Sequence, residues 1–301
     1  MRILIFSILV FLFSPFTLKA FANTPKGAVT VAPSIIKLDL QQDKPQAALT
    51  YTNNTDKDIE ISLSASDFKE LEDGYKVSYL EGKDAKNYKY ALSFWIDFNK
   101  KNLSLGPGQK EEVKILINNK ALTPGGHYAT ILANISLKNR TSDNVALQGV
   151  LSSLLFVRTN TGKEFERAKI QSHEPVRSLF DFPDKYSFWF QNSGDTDLTP
   201  YGLIELKDLF GRTVAQGIIN DGSLITLPES IRRYDIPLKK TTPFLFPGIY
   251  HTTISIHFGK TDQKILSSSI FFSQGSIPLI PLVAILIISG FIYYKKSKKT
   301  N

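Results

Sequence analysis

Cysteine is absent from this chain. That excludes a disulfide framework, a thiolate metal site, a cysteine nucleophile and a lipidated N-terminal cysteine. Catalytic signatures are missing as well: there is no G-x-S-x-G elbow, no glycine-rich phosphate loop and no dinucleotide fingerprint. Histidine occurs four times. His173-Glu174 is followed by Pro175-Val176-Arg177, which lacks the second histidine of a zinc-protease helix and breaks that helix. His251 and His257 share a strand face, but six residues of extended chain separate them by roughly 20 Å, too far for one metal. All four histidines are expected on solvent-facing strands or loops. A large excess of one charge is also missing once position is considered. Of the 36 basic residues, Arg2 and Lys19 lie near the start, and Lys295, Lys296, Lys298 and Lys299 lie in the last seven positions. Taking those six away leaves 30 basic against 28 acidic residues, so the net charge of +8 marks topology rather than a nucleic-acid surface.

What is present is an ordinary globular composition, 42% hydrophobic and 21% charged. It excludes a disordered acidic tail, a collagen-like repeat and a multi-span transporter. The length of 301 residues favours two domains.

The ends carry their own patterns. Residues 1–22 read as a signal peptide: Arg2 begins it, an apolar stretch follows, Pro15 breaks the helix, and Ala20-Phe21-Ala22 supplies the small-x-small cleavage pattern through Ala20 and Ala22. Residues 277–294 contain no charge, are long enough for a transmembrane helix, and end in Tyr293 and Tyr294. The basic stub 295–301 follows. The expectation is a single-pass cell-membrane protein, with its N-terminal domains outside the cytoplasm and its tail inside.

Between the ends, period-two alternation recurs with turn residues between runs, which predicts an all-β chain of two tandem Ig-like sandwiches. Tyr250, Thr252, Ile254, Ile256 and Phe258 alternate with His251, Thr253, Ser255 and His257. Ala129, Ile131, Ala133, Ile135 and Leu137 alternate in the same way. The first unit is placed at 29–158, a hinge at 159–163 and the second unit at 164–272. Two segments repeat the same turn and strand start: Pro124-Gly125-Gly126-His127-Tyr128 and Pro247-Gly248-Ile249-Tyr250. Asn-rich corners repeat as well, at Tyr51-Thr52-Asn53-Asn54 and Phe190-Gln191-Asn192-Ser193. Asp56 with Asp58, and Asp195 with Asp197, sit in these corners, where Asx-turn chemistry is a fuller account than a hard cation. Four Asn-x-Ser/Thr sequons begin at Asn53, Asn102, Asn134 and Asn139. No cofactor and no metal are expected.

Aromatic side chains are the more informative class. Phe94, Ile96 and Phe98 fall on one face of an expected strand, and Trp95 falls on the other. Tyr186, Phe188 and Phe190 alternate with Trp189 in the second unit. Trp189 and Trp95 are therefore the candidate binding surface. An exposed sandwich edge is a second handle, since its free N–H and C=O groups accept a partner strand.

This layout resembles that of the WxL-interacting proteins, a bacterial surface family. The local motifs are Val31-Ala32-Pro33, Tyr51-Thr52-Asn53-Asn54, Leu105-Gly106-Pro107-Gly108-Gln109, Pro124-Gly125-Gly126-His127-Tyr128 and the strand from Gly149 to Val157. The resemblance implies a peptidoglycan-binding Ig-like domain, a second Ig-like binding domain, one span and a basic tail. The family's Asn-Gln pair is missing after Pro33, so no ligand-contacting residue carries over. Pilus-chaperone N-domains and fibronectin-like modules share similar strand patterns. The leading expectation is a membrane-anchored surface protein that contacts cell-wall polymer or another surface protein, by binding rather than catalysis. The alternative is a chaperone-like accessory factor for surface-fibre assembly that works by β-strand exchange.

Overall fold

The computed structural model describes residues 28–71, 76–138, 149–159, 165–177, 181–276 and 285–291. The signal peptide with Ala20 and Ala22, nearly all of the hinge, and the tail with Lys295, Lys296, Lys298 and Lys299 lie outside the described residues.

The chain is mostly strand. The first unit holds β1 (Val29–Ala32), β2 (Ile35–Asp39), β3 (Gln46–Asn53), β4 (Ile59–Glu70), β5 (Val77–Leu80), β6 (Ile96–Phe98), β7 (Asn102–Leu105), β8 (Lys110–Ile117), β9 (Gly125–Leu137) and β10 (Gly149–Thr159). One sheet has the order β1-β3-β8-β6. The facing sheet runs β2-β10-β9-β4-β5, with β7 beside the first half of β4. Alternation drives the packing: Ile59, Ile61 and Leu63 point inward from β4, and Ile131, Ala133 and Ile135 from β9. Both rows meet Leu49, Tyr51, Val113 and Ile115 of the other sheet.

The second unit holds β11 (Ala168–Val176), β12 (Lys185–Asn192), β13 (Tyr201–Lys207), β14 (Thr213–Ile219), β15 (Ser230–Pro237), β16 (Lys239–Lys240), β17 (Gly248–Phe258) and β18 (Gln263–Ser273). Its sheets are β11-β12-β15 and β16-β14-β13-β17-β18. Its core is aromatic: Tyr186, Phe188, Phe190, Tyr234, Tyr250 and Phe258 are buried, and Phe188 stacks on Tyr234 with ring centres 5.1 Å apart. At Gly202 a Cβ would lie 1.9 Å from the Ser255 carbonyl oxygen, so β13 approaches β17 there only because glycine has none.

A third cluster joins the units. Phe68, Tyr90, Tyr128 and Phe156 of the first unit pack with Leu227 of the second.

At the C-terminal end, residues 285–291 are helical with exposed apolar side chains. Among the described residues no helix is long and apolar enough to cross a membrane. The transmembrane helix expected at 277–294 is thus not part of the described fold. The rest of that span lies outside the described residues.

Candidate interaction site on β10 and the seam between the units

Strand β10 has two halves with different neighbours. Along its whole length it pairs antiparallel with β9, from Gly149 opposite Ile135 to Thr159 opposite Gly125. On the other edge, β2 pairs parallel with it only over residues 154–158. The cause is the path of the N-terminal strand. β1 belongs to the opposite sheet, paired with β3, and the chain crosses at Pro33 and Ser34 before β2 begins. Ser153 Oγ donates to Pro33 O at 3.1 Å and Leu154 N–H donates to Ser34 O at 2.9 Å, which marks where the cover starts. Backbone groups alternate sides along a strand. The amides of Ser152 and Val150 therefore point the same way as that of Leu154, on a side where no strand pairs with them among the described residues. Val150 is 60% exposed. Gly149 and Val150 also border a concavity of about 890 Å³ over the outer faces of β4, β7 and β9, whose floor carries Glu60, Ser62, Asn102 and Asn134. The sequons at Asn102 and Asn134 are outward strand positions flanking Ser62, so Asn-x-Ser there is the period-two pattern itself.

The covered half of β10 ends in the seam. The Arg158 guanidinium donates to Asp197 O at 2.9 Å and lies 3.4 Å from Asp197 Oδ1 and 3.5 Å from Glu166 Oε1. Gly126 N–H donates to Asp195 O at 2.8 Å. On the other flank, the buried Glu70 carboxylate meets Arg232 Nε at 3.2 Å and accepts from Ser230 Oγ at 2.5 Å. Burial pushes the Glu70 carboxyl above its usual range, and the Arg232 guanidinium and Ser230 hydroxyl pull it only part of the way back. Tyr90 O–H donates to Glu229 at 2.8 Å, and Lys89 reaches the same oxygen at 3.1 Å. An opening of about 380 Å³ beside Arg158 is lined by Lys37, Asp39, Phe156, Glu166 and Lys260. Lys260 pairs with Asp39 at 2.9 Å. Lys37 stands 6.0 Å from the Phe156 ring centre and, among the described residues, has no carboxylate partner.

The two tryptophans are not brought together. Trp95 ends a 3-10 turn, Ser93–Trp95, rather than lying in a strand. It is 37% exposed and lines a hollow with Phe94, Lys86 and His127. The Asp67 carboxylate makes that turn by accepting from Leu92 N–H at 2.7 Å, Ser93 N–H at 2.8 Å and Ser93 Oγ at 2.6 Å. Trp189 is half-buried on the outward face of β12, with the Arg233 guanidinium 5.0 Å from its ring.

The histidine expectation needs correction. His127 is buried, with Nδ1 3.0 Å from Ala91 O and Nε2 2.8 Å from Thr123 O. His173 is half-buried, with Nδ1 2.9 Å from Tyr186 Oη and Nε2 2.8 Å from Ser267 Oγ. The acidic corners serve the fold: Asp195 Oδ1 accepts from Phe165 N–H at 2.8 Å, and Asp197 faces Arg158. Among the described residues no three His, Asp or Glu side chains group as a metal site.

Sequence reasoning passed over the seam residues Glu70, Arg158 and Arg232, whose partners lie far along the chain. The exposed-edge argument was the one related signal, and it named no strand.

No protein-family model matches the chain, and no curated protein matches it in sequence. Solved structures similar to it include the CsuC–CsuE chaperone–tip adhesion subunit pre-assembly complex from Acinetobacter baumannii, at 12% identity, covering 69% of this chain and 89% of that one with a TM-score of 0.37. The class 5 fimbriae chaperone CfaA is similar at 8% identity, covering 83% of this chain and all of that one, TM-score 0.42. The E. coli chaperone DraB is similar at 13%, covering 82% and 97%, TM-score 0.38. These findings, with no membrane-crossing helix among the described residues, overturn three expectations: the membrane-anchored surface binder, its membrane and cell-wall or surface-protein partners, and its single-pass placement in the cell membrane.

Proposed function

We propose that this chain is a chaperone-like accessory factor for surface-fibre assembly, which holds an incomplete β-subunit by strand pairing along the open half of β10. The observation that supports it is the half-covered strand: the cover by β2 begins only at Leu154, and the outward amides of Ser152 and Val150 stand ready beside an exposed Val150 side chain. A subunit short of one strand carries the complementary bare edge, and main-chain bonds supply the grip while alternate side chains select the guest. The polar seam supports the role by holding the two units as a fixed elbow around the end of that strand. The activity is binding, with no bond made or broken. Kinship with the WxL-interacting proteins is a separate proposal about descent and rests on the short motifs alone.

The test is capture. A fibre subunit with one terminal strand deleted is diluted from denaturant into the chain, and the soluble complex is measured by size-exclusion chromatography. Ser152→Pro removes one outward amide and leaves the ladder to β9 intact, because that amide faces away from β9. The expected result is an unchanged thermal midpoint and at least tenfold less complex. Capture by Ser152→Pro equal to that of the parent sinks the reading.

A further inference from the structure

Among the described residues, strand β18 ends its sheet and pairs as a strand only with β17, in unbroken register over all eleven residues. The first unit half-covers its corresponding last strand with β2, whereas in the second unit β11 pairs, among the described residues, with β12, and no described strand pairs with the outer edge of β18 over 264–270. Its inward hydroxyls are taken: Ser267 meets His173 and Ser269 meets Tyr186. The outward side chains Leu266, Ser268 and Ile270 are exposed, with Leu266 at 64% and Ile270 at 66%. Edge strands are ordinarily guarded by charge, proline or a bulge. Here residues 265–273 contain no charge and no proline, and the register has no bulge.

The strand is also nearly a mirror of itself. About Ser268, Ser267 reflects Ser269, Leu266 reflects Ile270, and Ile265 reflects Phe271. In an antiparallel two-fold pairing about Ser268 each residue faces its own reflection, so this near-symmetry sets apolar against apolar and serine against serine, which makes the edge self-complementary. We infer that β18 pairs with β18 of a second copy, antiparallel about Ser268, so that Leu266 lies beside Ile270 of the second copy and the two sheets run on as one. The only charged residue on the strand, Lys264, then lies roughly 27 Å from its counterpart, so the pairing brings no like charges together. This contact uses the second unit and a different strand from the capture site, so either reading can fail without the other.

The chain has no cysteine, which makes a single introduced thiol informative. In the full chain, Ser268→Cys sits on the two-fold axis beside its own copy and is expected to give a covalent dimer on mild oxidation or with a short bismaleimide. Ser64→Cys, exposed on the outer face of the first unit, is expected to give none. Sedimentation equilibrium then reads the register. L266K/I270K places lysine beside lysine and is expected to be monomeric, whereas L266K/I270E places lysine beside glutamate and is expected to restore the dimer. Equal cross-linking of the two cysteine variants, or one oligomeric state for both double variants, overturns the inference. So does a monomeric parent whose S268C variant cross-links only to a fibre subunit.

Discussion

Asn53 and Asn192 make the same pair of contacts in the two units. Asn53 Nδ2 donates to Lys57 O at 2.8 Å and to Leu105 O at 3.0 Å; Asn192 Nδ2 donates to Thr196 O at 2.8 Å and to Thr226 O at 3.1 Å. Each Oδ1 accepts from a backbone amide two residues on, that of Thr55 or Gly194. Both side chains are fully buried at the end of a core strand, and each ties a chain reversal to a distant loop.

Removing the Asn192 side chain takes the hydrogen-bond partner from the Thr196 carbonyl and the Gly194 amide, and leaves the Thr226 carbonyl with Leu198 N–H alone. Asn192→Ala is expected to lower stability by about 3 kcal/mol. Asn192→Asp is expected to cost more above the carboxylate range, because an anion then faces the Thr196 and Thr226 carbonyls. Urea unfolding at neutral pH checks both, and equal stability of Asp and parent would contradict the role.

His173 sets a pH dependence. Burial holds its imidazole below the usual value of 6.5. The unfolded chain therefore binds the proton more readily, and the stability contributed by neutral His173 is present above about pH 6.5 and lost as pH falls through the folded value. The parent is expected to weaken between pH 7 and 5, and His173→Gln to flatten that part of the curve. Denaturant unfolding across this range is the measurement, and parallel curves would refute it.

Arg158 is the cation shared by Asp197 and Glu166 in the seam, and all three side chains are largely buried. Arg158→Ala leaves two carboxylates facing each other. The expected loss is on the order of 3 kcal/mol, together with a broader interdomain angle seen as an increased radius of gyration by small-angle scattering. An unchanged radius and midpoint would show that the aromatic cluster alone holds the elbow.

The parts legible in the amino-acid order are those governed by local period. The alternation of Tyr250, Thr252, Ile254, Ile256 and Phe258 appears unchanged as the buried face of β17. The Asn corners are legible as chain reversals because Asx chemistry acts within four residues. Trp95 was not legible: its neighbours alternate as a strand would, but the Asp67 carboxylate, more than twenty positions earlier, gathers the amides of Leu92 and Ser93 and curls the segment into a turn. Burial of His127 likewise depends on the Ala91 carbonyl, and the seam depends on Glu70 finding Arg232. Such partners are set by tertiary closure, which no period announces. The half-cover on β10 comes from where one strand changes sheets, a property of path rather than of residue type.

That path carries one more implication. The strand with bare amides at Val150 and Ser152 is continuous with the one whose far end grips the other unit through Arg158. If a guest strand pairs there as proposed, it lengthens a ladder that already braces the bend of the molecule, and linkage requires the influence to run both ways. Under the proposed capture, whatever binding does to the bend, the bend does in equal measure to binding.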